Sequence, residues 1–294
     1  MNSGLQSLLT LTDYIKDVSS QEVVWCSLRE AKLIRKLIDI LRCHRSVDSS
    51  LKLKALYWSK RAVSKQAPEF RDHHQKDAHE FLTTILDQIR NLSHLLQGVA
   101  ACEDKSYTCP VEDHLVFRMQ NTRTCKSCGA QSTRQEDFSN LSLNLAPGGS
   151  VQQMLQDYLM ETALDFHCEC GGNKSGQQST FATLSKVLML HLKRFHFTPF
   201  LQLEKLSDPV DLYRELLVTS AQADGWYSLA SVISHLGSGG NEGHYVSDGV
   251  HPDTQLDDPA DLWLTYNDAM VTETTGASVC KNGSERPTCS TKDG

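Results

Sequence analysis

The sequence predicts an α+β protein whose helices precede its strands. Through about residue 100, apolar residues recur at intervals of three and four, which is the period of an amphipathic helix. After about Cys102, the pattern changes to short alternating runs separated by Gly, Pro, Asn and Asp, which is typical of strands joined by turns. Because the two kinds of segment are segregated along the chain, a doubly wound parallel sheet is not expected.

Three segments carry the helical prediction: "LQSLLTLTDYI", "LREAKLIRKLIDILRCH" and "QKDAHEFLTTILDQIRNL". In the third, Asp77 and Glu80 stand in the expected first turn, where the positive end of the helix dipole favours acidic side chains. One later helix, "SVQQMLQDYLM", is expected among the strands with Ser150 as its N-cap.

Six runs are predicted to contain strands: "HLVFRMQNTRTC", "STRQEDFSNLSLNL", "KVLMLHLKRFHF", "YSLASVISHLG", "GHYVSDGV" and "DLWLTYND". From Glu273 to the last residue, the sequence is polar, rich in turn formers and without a period. Residues 273–294 are therefore predicted to form a flexible tail.

Composition narrows the function classes. The chain has 294 residues, 39% of them hydrophobic, and a formal net charge of -7, which argues against nucleic acid as its main partner. No apolar run reaches the roughly 18 residues of a membrane span, so no membrane partner is expected. The start resembles neither a secretory signal nor a transit peptide, and ten cysteines in a chain of this length favour a reducing compartment. We therefore expect an intracellular protein, in the cytosol, the nucleus or both. We also expect it to be a monomer.

Two cysteine pairs predict a metal site. Cys125 and Cys128 in "TCKSCG" have the spacing at which a tight turn presents two thiolates to one tetrahedral ion. Cys168 and Cys170 in "FHCECGG" are one residue apart, which is less usual, and His167 is an alternative ligand. Four protein ligands would make the site structural rather than catalytic. A metal-free surface hairpin is the alternative interpretation.

A histidine followed by a polar pair predicts part of a nucleophilic site. His244 lies between Gly243 and Tyr245, and the predicted strand "WLTYND" ends at Asn267 and Asp268, which can orient an imidazole. A structural histidine is the alternative. None of the six unpaired cysteines is expected to be the nucleophile. Cys26, Cys102 and Cys109 open no recognisable helix where a dipole lowers a thiol pKa, Cys43 follows an amphipathic helix and is expected to be packed, and Cys280 and Cys289 lie in the predicted tail.

These motifs together resemble the ubiquitin-specific proteases, thiol hydrolases that cut ubiquitin from proteins. The segments "QKDAHEFLTTILDQI", "VLMLHLKRF", "HYVS" and "WLTYND" and the two cysteine pairs follow that family's order across residues 1–272. "YTCPVEDHLVFRMQ" and "FSNLSLNL" are most similar to the subgroup around ubiquitin-specific protease 37. The resemblance implies a papain-like fold with a helical thumb (1–100) and a palm and fingers (101–272).

The resemblance also implies roles for individual residues. His244 matches the general base, Asn267 the residue that orients it, and Asp268 a residue that assists. Residues matching positions that meet ubiquitin are Gln75, Asp77, Glu80, Arg194, Phe195, Gly243 and Tyr245. The fingers' structural zinc would be held by Cys125, Cys128, Cys168 and Cys170, with no organic cofactor. The alternatives are helix capping for the acidic residues and a plain buried strand for "HLKRF".

The family's nucleophile motif, Gly-Asn-Thr-Cys-Tyr-Met-Asn, aligns its last two residues with Met1 and Asn2. Its cysteine would therefore lie two residues before Met1, so a domain truncated at its N-terminus, and inactive as it stands, is expected. Two hypotheses follow. The domain hydrolyses the isopeptide bond at the ubiquitin C-terminus in ubiquitinated proteins, or it is a pseudoenzyme that binds ubiquitin without cutting it.

Overall fold

A computed structural model describes residues 11–43, 46–72, 74, 76–237, 243–251, 253–254 and 260–285. The chain divides into two compact units. The first comprises residues 1–113, 230–237 and 241–275, and the second residues 114–229, 238–240 and 276–294. The strands 231–275 thus group with the N-terminal helices. Helices dominate the first 115 residues and mostly antiparallel strands follow, which confirms the predicted α+β class.

The described helices of the N-terminal part are α1 (Thr12–Ser20), α2 (Glu22–Ser27), α3 (Lys32–Cys43), α4 (Ser49–Val63), α5 (Ala78–Arg90), α6 (Ser93–Cys102) and α7 (Pro110–Leu115). The predicted helical period is realised in α3 and α5, which bury their apolar stripes in the core of the first unit. Each fully buried Leu or Ile contributes about 1.5–3 kcal/mol by its removal from water. Asp48 caps α4 through the backbone N–H groups of Ser50 and Leu51.

The first unit also contains one antiparallel sheet, in the order β11 (Ser231–Leu236), β12 (His244–Val250), β13 (Leu262–Asn267) and β14 (Met270–Thr275). Val246 and Trp263 are its buried apolar side chains. His244 is the first residue of β12 and Asn267 is the last residue of β13. Because the two strands are antiparallel neighbours, both residues lie at the same end of the sheet.

The second unit is built mainly of strands. One sheet has the order β2 (Gln131–Phe138), β1 (Phe117–Cys125), β5 (Lys174–Phe181) and β4 (Thr162–Asp165). The strands β3 (Leu141–Asn144) and β6 (Leu190–Lys193) pair in parallel. Two further pairs are β7 (Phe195–Phe197) with β8 (Leu203–Lys205), and β9 (Glu215–Val218) with β10 (Gly225–Ser228). The helix α8 (Val151–Leu159) is capped by Ser150, as predicted, and Met154 on α8 packs into the apolar core.

The end of the chain is more regular than the flexible tail predicted from Glu273. Strand β14 pairs with β13 as far as Thr275, opposite Leu262, and the helix α9 (Gly276–Glu285) follows with Val279 buried. Hydrogen bonds to β13 keep residues 273–275 in a strand although their sequence has no apolar alternation, and such pairing is not visible in a single sequence. Residues 286–294 of the predicted tail lie outside the described residues.

Among the described residues, no helix combines the length and the apolar character that crossing a membrane requires.

Replacing Leu143 by Ala is expected to lower the free energy of unfolding by about 2–5 kcal/mol, because Leu143 is fully buried on β3 and its removal leaves a cavity. Urea denaturation followed by circular dichroism measures this loss. The exposed neighbour on the same strand supplies the control, since Asn144→Ala is expected to change stability by less than about 0.5 kcal/mol. Equal effects of the two substitutions would contradict the described core.

Candidate active site and candidate metal centre

The centre of the candidate active site is a hydrogen bond between His244 and Asn267. The imidazole Nε2 lies 2.6 Å from Oδ1 of Asn267. The described pairing of β12 with β13 ends where Ser247 lies opposite Tyr266, and Asn267 lies one residue and His244 three residues beyond this pair at the same end of the sheet. The contact expected from the sequence is therefore present, and the strand pairing produces it despite the 22 residues between the two positions.

The amide determines which ring nitrogen carries the proton. Because the Oδ1 atom of an asparagine only accepts, Nε2 of His244 must donate, which leaves Nδ1 as the acceptor of the neutral ring. An imidazole held in this tautomer can take a proton at Nδ1. The side chain of His244 is 40% exposed, so a substrate can reach it.

Asp268 stands beside this pair without a hydrogen bond to it. Its Oδ2 atom lies 4.0 Å from Nε2 of His244, and its side chain is 85% exposed. Asp268 adopts a left-handed backbone conformation (φ 52°) in the turn between β13 and β14, where Asp and Asn are better tolerated than most residues. At this distance it contributes charge screened by water rather than a directed contact.

Tyr245 connects the strand of His244 to the helix α5. Its hydroxyl donates to Oδ2 of Asp77 over 3.3 Å, and its ring packs against that of His235 with 4.8 Å between the ring centres. Burial and the neighbouring Asp77 carboxylate raise the pKa of Tyr245 to about 12, so the phenol stays a neutral donor at physiological pH. Sequence reasoning missed His235, although its place opposite Tyr245 follows once "SVISHLG" and "GHYVSDGV" are paired as strands.

Gly243 leaves no room for a side chain. A Cβ atom there would lie 2.5 Å from the carbonyl oxygen of Leu236 and would also overlap the ring of His235. Because a backbone carbonyl cannot move aside as a flexible side chain does, any other residue would displace the start of β12 and the imidazole of His244.

Three residues predicted from the sequence to contact ubiquitin precede α5 or lie in its first turn, namely Gln75, Asp77 and Glu80. Asp77 caps the helix, since its Oδ1 accepts the backbone N–H of Glu80 over 2.8 Å. Helix capping, the alternative role considered for this residue, is therefore present at Asp77. The second carboxylate oxygen accepts a hydrogen bond from the hydroxyl of Tyr245. Glu80 is exposed. Gln75, the third predicted member of this group, lies outside the described residues.

Arg194 and Phe195 belong to the second unit, at the start of β7. The guanidinium of Arg194 is partly buried and donates from Nη1 to the carbonyl oxygens of Leu206 (3.1 Å) and Asp208 (2.9 Å). Its burial lowers the pKa of Arg194 from its usual value, and the Asp208 carboxylate opposes this effect. Arg194 thus fixes the segment after β8.

The four cysteines of the two predicted pairs converge at one end of β1 and β5. Their sulfur atoms all lie within 4.8 Å of one another. The Cys125 and Cys170 sulfurs are 3.7 Å apart, and the Cys128 and Cys168 sulfurs 3.9 Å apart. A tetrahedral ion with Zn–S bonds of about 2.3 Å requires sulfur separations of about 3.8 Å, so the cluster fits zinc.

Two tight turns build this cluster. The N–H of Gly129 donates to the carbonyl of Cys125, and the N–H of Gly171 donates to that of Cys168. Both glycines have positive φ angles, 73° and 88°, which other residues adopt only with strain. The second turn is shorter because the pair has one intervening residue, yet both thiols reach the cluster. His167 is instead hydrogen-bonded through Nδ1 to Asn173 over 2.7 Å.

The electrostatics of the cluster also fit a cation. The backbone N–H groups of Cys128 and Ser127 lower the pKa of the Cys125 thiol to about 6. The N–H of Gly172 lowers the pKa of the Cys170 thiol, but the three neighbouring sulfurs together raise it to about 12. Crowded thiols cannot all lose their protons unless a positive ion compensates the charge, which is what a divalent metal does.

The unpaired cysteines within the described residues lack the features of a nucleophile. Cys109 is buried, and burial raises the pKa of its thiol above the usual value, which favours the unreactive protonated form. Cys26 and Cys102 are exposed in the last turns of helices α2 and α6, and Cys43 is the last residue of α3, so none of the three lies at a helix N-terminus. Cys280 lies within α9, and Cys289 lies outside the described residues.

A family model described as ubiquitin carboxyl-terminal hydrolase matches residues 1–288. Among curated proteins, ubiquitin carboxyl-terminal hydrolase 37 from Mus musculus and from Homo sapiens are each 33% identical over 241 residues, covering 75% of this chain and 25% of the relative. Human ubiquitin carboxyl-terminal hydrolase 29 is 30% identical over 244 residues, covering 75% and 26%. The chain therefore spans about a quarter of the length of these relatives, and they agree with the predicted subgroup.

Solved structures share the fold. The SAGA DUB module of Ubp8, Sgf11, Sus1 and Sgf73 bound to monoubiquitin matches with a TM-score of 0.80 at 24% identity, covering 94% of this chain and 63% of that chain. The same module bound to ubiquitin aldehyde gives 0.77 at 23% identity, covering 94% and 64%. This likeness confirms the predicted papain-like α+β fold.

Replacing Asn267 by Ala is expected to release the His244 imidazole from a single tautomer, because the acceptor that holds the proton on Nε2 is lost. Nitrogen-15 NMR of the histidine rings reports the change as a shift of both ring nitrogens toward averaged values. Asp268→Ala is the control and should leave the ring signals in place, since Asp268 makes no hydrogen bond to the ring. The assignment fails if Asn267→Ala leaves the spectrum unchanged.

Proposed function

This chain belongs to the ubiquitin carboxyl-terminal hydrolase family, and from that premise we propose that its domain performs thiol-dependent hydrolysis of the bond that joins the ubiquitin C-terminus to another protein. The observation that carries the proposal is the 2.6 Å contact between His244 and Asn267 at the ends of two paired strands. A thiol hydrolase requires a general base that substrate can reach and that is held in one tautomer, and the partly exposed imidazole of His244 meets both conditions.

The chemistry assigned to His244 is proton transfer at Nδ1. In the proposed reaction Nδ1 takes the proton of a cysteine thiol, and the thiolate sulfur attacks the carbonyl carbon of the ubiquitin C-terminal glycine. The C–N bond breaks, the leaving amine receives the proton from Nδ1, and a thioester remains. Nδ1 then takes a proton from water as the water oxygen bonds to the carbonyl carbon and the C–S bond breaks. The leaving thiolate recovers that proton from Nδ1, and the ubiquitin C-terminus departs as a carboxylate whose remaining proton passes to solvent. Asn267 keeps the ring oriented through both steps.

We assign the thiol of this reaction to the cysteine of the family's nucleophile motif, which aligns two residues before Met1. The ten cysteines of the 294 residues include no match to that motif. The 294 residues would therefore supply the base and the orienting amide but not the nucleophile, and by themselves would bind ubiquitin without cutting it.

Binding of ubiquitin is assigned to the residues that match the family's ubiquitin-contacting positions. Glu80 is exposed near the start of α5 and is suited to pairing with the basic C-terminal tail of ubiquitin. Asp77 would hold the side chain of Tyr245 in place through their hydrogen bond. Gly243 would let the backbone approach that tail. Gln75, Arg194 and Phe195 keep their proposed contacts with ubiquitin from the family resemblance. We further propose that the protein acts as a monomer on ubiquitinated proteins in the cytosol or nucleus.

The decisive assay compares two proteins with a fluorogenic amide at the ubiquitin C-terminus. One is the chain of 294 residues, and the other carries Gly-Asn-Thr-Cys-Tyr before Met1. Turnover is expected only with the extended chain, and it should fall by at least about a hundredfold in its His244→Ala variant, because general base catalysis contributes about 10²–10⁴. The extended chain with Cys→Ser in the added segment is the second control.

Two outcomes would contradict this assignment. Robust turnover by the unextended chain would mean that an internal cysteine is the nucleophile. Turnover by neither protein, combined with measurable ubiquitin binding by calorimetry, would support the second candidate function, a ubiquitin-binding pseudoenzyme, which the lack of a cysteine matching the nucleophile motif favours.

We also propose that Cys125, Cys128, Cys168 and Cys170 hold one structural zinc ion, because their sulfur separations suit tetrahedral coordination. The ion would hold the turn after β1 to the turn before β5. Mass spectrometry under native conditions and elemental analysis should find about one zinc per chain, and Cys168→Ser should lose it and lower the melting temperature. Cys102→Ser, at an exposed cysteine elsewhere, should retain it. Reduced protein that is folded and free of zinc would contradict the proposal.

A further inference from the structure

The helix α4 places its small residues inward and its large apolar residues outward. Its buried side chains are Ala55, Ser59, Ala62 and Val63. Four large side chains on the same helix are exposed, namely Leu51 (49%), Leu53 (66%), Tyr57 (58%) and Trp58 (41%). A helix that served only to pack the core would bury its largest apolar residues, because each contributes the most when removed from water.

The exposed side of α4 is also basic. Leu53, Lys54, Tyr57, Trp58 and Arg61 are spaced so that they share one side of the helix, and we call them the α4 outer face. The helix contains no acidic residue but four basic ones, in a chain whose net charge is -7. Among the residues that the structure describes, no carboxylate pairs with Lys54 or Arg61.

Cations lie directly against the aromatic surface. The guanidinium carbon of Arg61 is 5.3 Å from the centre of the Trp58 ring, and Nζ of Lys32, from α3, is 5.9 Å from it. The Tyr57 ring meets Trp58 edge to face at 5.3 Å. These cation–π contacts hold positive charge beside exposed apolar area instead of letting it point into solvent. Apolar and charged groups are thus presented together at fixed positions.

We propose that the α4 outer face is a docking site for an acidic protein segment, one in which Asp or Glu residues flank a large apolar side chain. The apolar side chain would pack on Leu53 and Tyr57, and the carboxylates would pair with Lys54 and Arg61. Charge complementarity selects this occupant. Since a single helical face is small compared with a standard interface, the expected Kd is in the range of about 1–100 μM.

Two other occupants fit less well. A lipid surface is bound by a continuous apolar stripe, whereas here Lys54 and Arg61 lie among the apolar residues and Arg61 covers the Trp58 ring. Nucleic acid would find only a small basic area on an acidic chain. The docking site lies on a different element from His244, so it adds an interaction to the proposed function and does not depend on it.

The test measures fluorescence anisotropy of labelled peptides of about 12 residues against the whole chain. One peptide pool has Leu, Phe or Trp flanked by Asp and Glu, a second has the same apolar residues flanked by Lys, and a third has Ser in the central position flanked by acids. Only the first pool should bind in the micromolar range. Raising the salt concentration from about 50 to about 300 mM should weaken that binding severalfold.

Variants then locate the site. Lys54→Glu with Arg61→Glu should weaken binding of the first pool at least about tenfold, because both attractions become repulsions. Tyr57→Ser should weaken it severalfold through lost apolar contact. The matched control is Lys16→Glu with Arg71→Glu, two exposed basic residues outside α4, which should leave binding unchanged. His244→Ala should also leave it unchanged, which separates this result from the fate of the proposed catalysis.

Several results would overturn the proposal. It fails if the first pool binds no better than the Lys-flanked pool, or if the control pair weakens binding as much as Lys54→Glu with Arg61→Glu. It also fails if phosphatidylserine vesicles or a DNA duplex bind through these residues while the acidic peptides do not. Circular dichroism melting of each variant excludes unfolding as the cause of lost binding, and exposed substitutions should change stability by no more than about 0.5 kcal/mol.

Discussion

The pairing of β12 with β13 is the constraint on which the candidate active site depends. Side chains alternate between the two faces of a strand, so a register slip of one residue would turn Asn267 away from His244. On its other side β12 is paired with β11, where His244 lies opposite Leu236, and this pairing fixes the position of its first residue. The tautomer of His244 therefore depends on the strand pairing, because that pairing brings the amide of Asn267 to the ring.

A second connection runs from this sheet to the helices of the same unit. The two carboxylate oxygens of Asp77 accept different hydrogen bonds. Oδ1 accepts the backbone N–H of Glu80 and caps α5, and Oδ2 accepts the hydroxyl of Tyr245. Gly243 adds a steric condition on the opposite side, where β11 approaches too closely for a side chain. The residues around His244 are thus held by a helix cap, a phenol and a neighbouring strand, and not by local chain stiffness.

The sequence predicted those features that depend on local pattern. The amphipathic periods of α3 and α5, the alternating strands and the two cysteine pairs each contain their own signal, and the structure contains all of them. Features that depend on pairing between distant segments were not predictable in the same way. The tilted contact between the His235 and Tyr245 rings and the extension of β14 to Thr275 follow from strand register, which one sequence does not specify. The double role of Asp77 needed the position of Tyr245, 168 residues further along the chain.

The inward-facing small residues of α4 have a consequence for how this protein can change over evolution. Ala55 and Ala62 let the helix lie close to its neighbours, and the Ser59 hydroxyl anchors it to the carbonyl of Lys36. The buried side of the helix therefore makes the contacts that stabilise the fold, and the exposed side does not pack in the core. Substitutions at Leu53 or Tyr57 do not have to be compensated in the core, since changes at separate, non-contacting positions act independently. Such a helix can acquire, alter or lose a binding preference while the hydrolase fold beneath it stays the same.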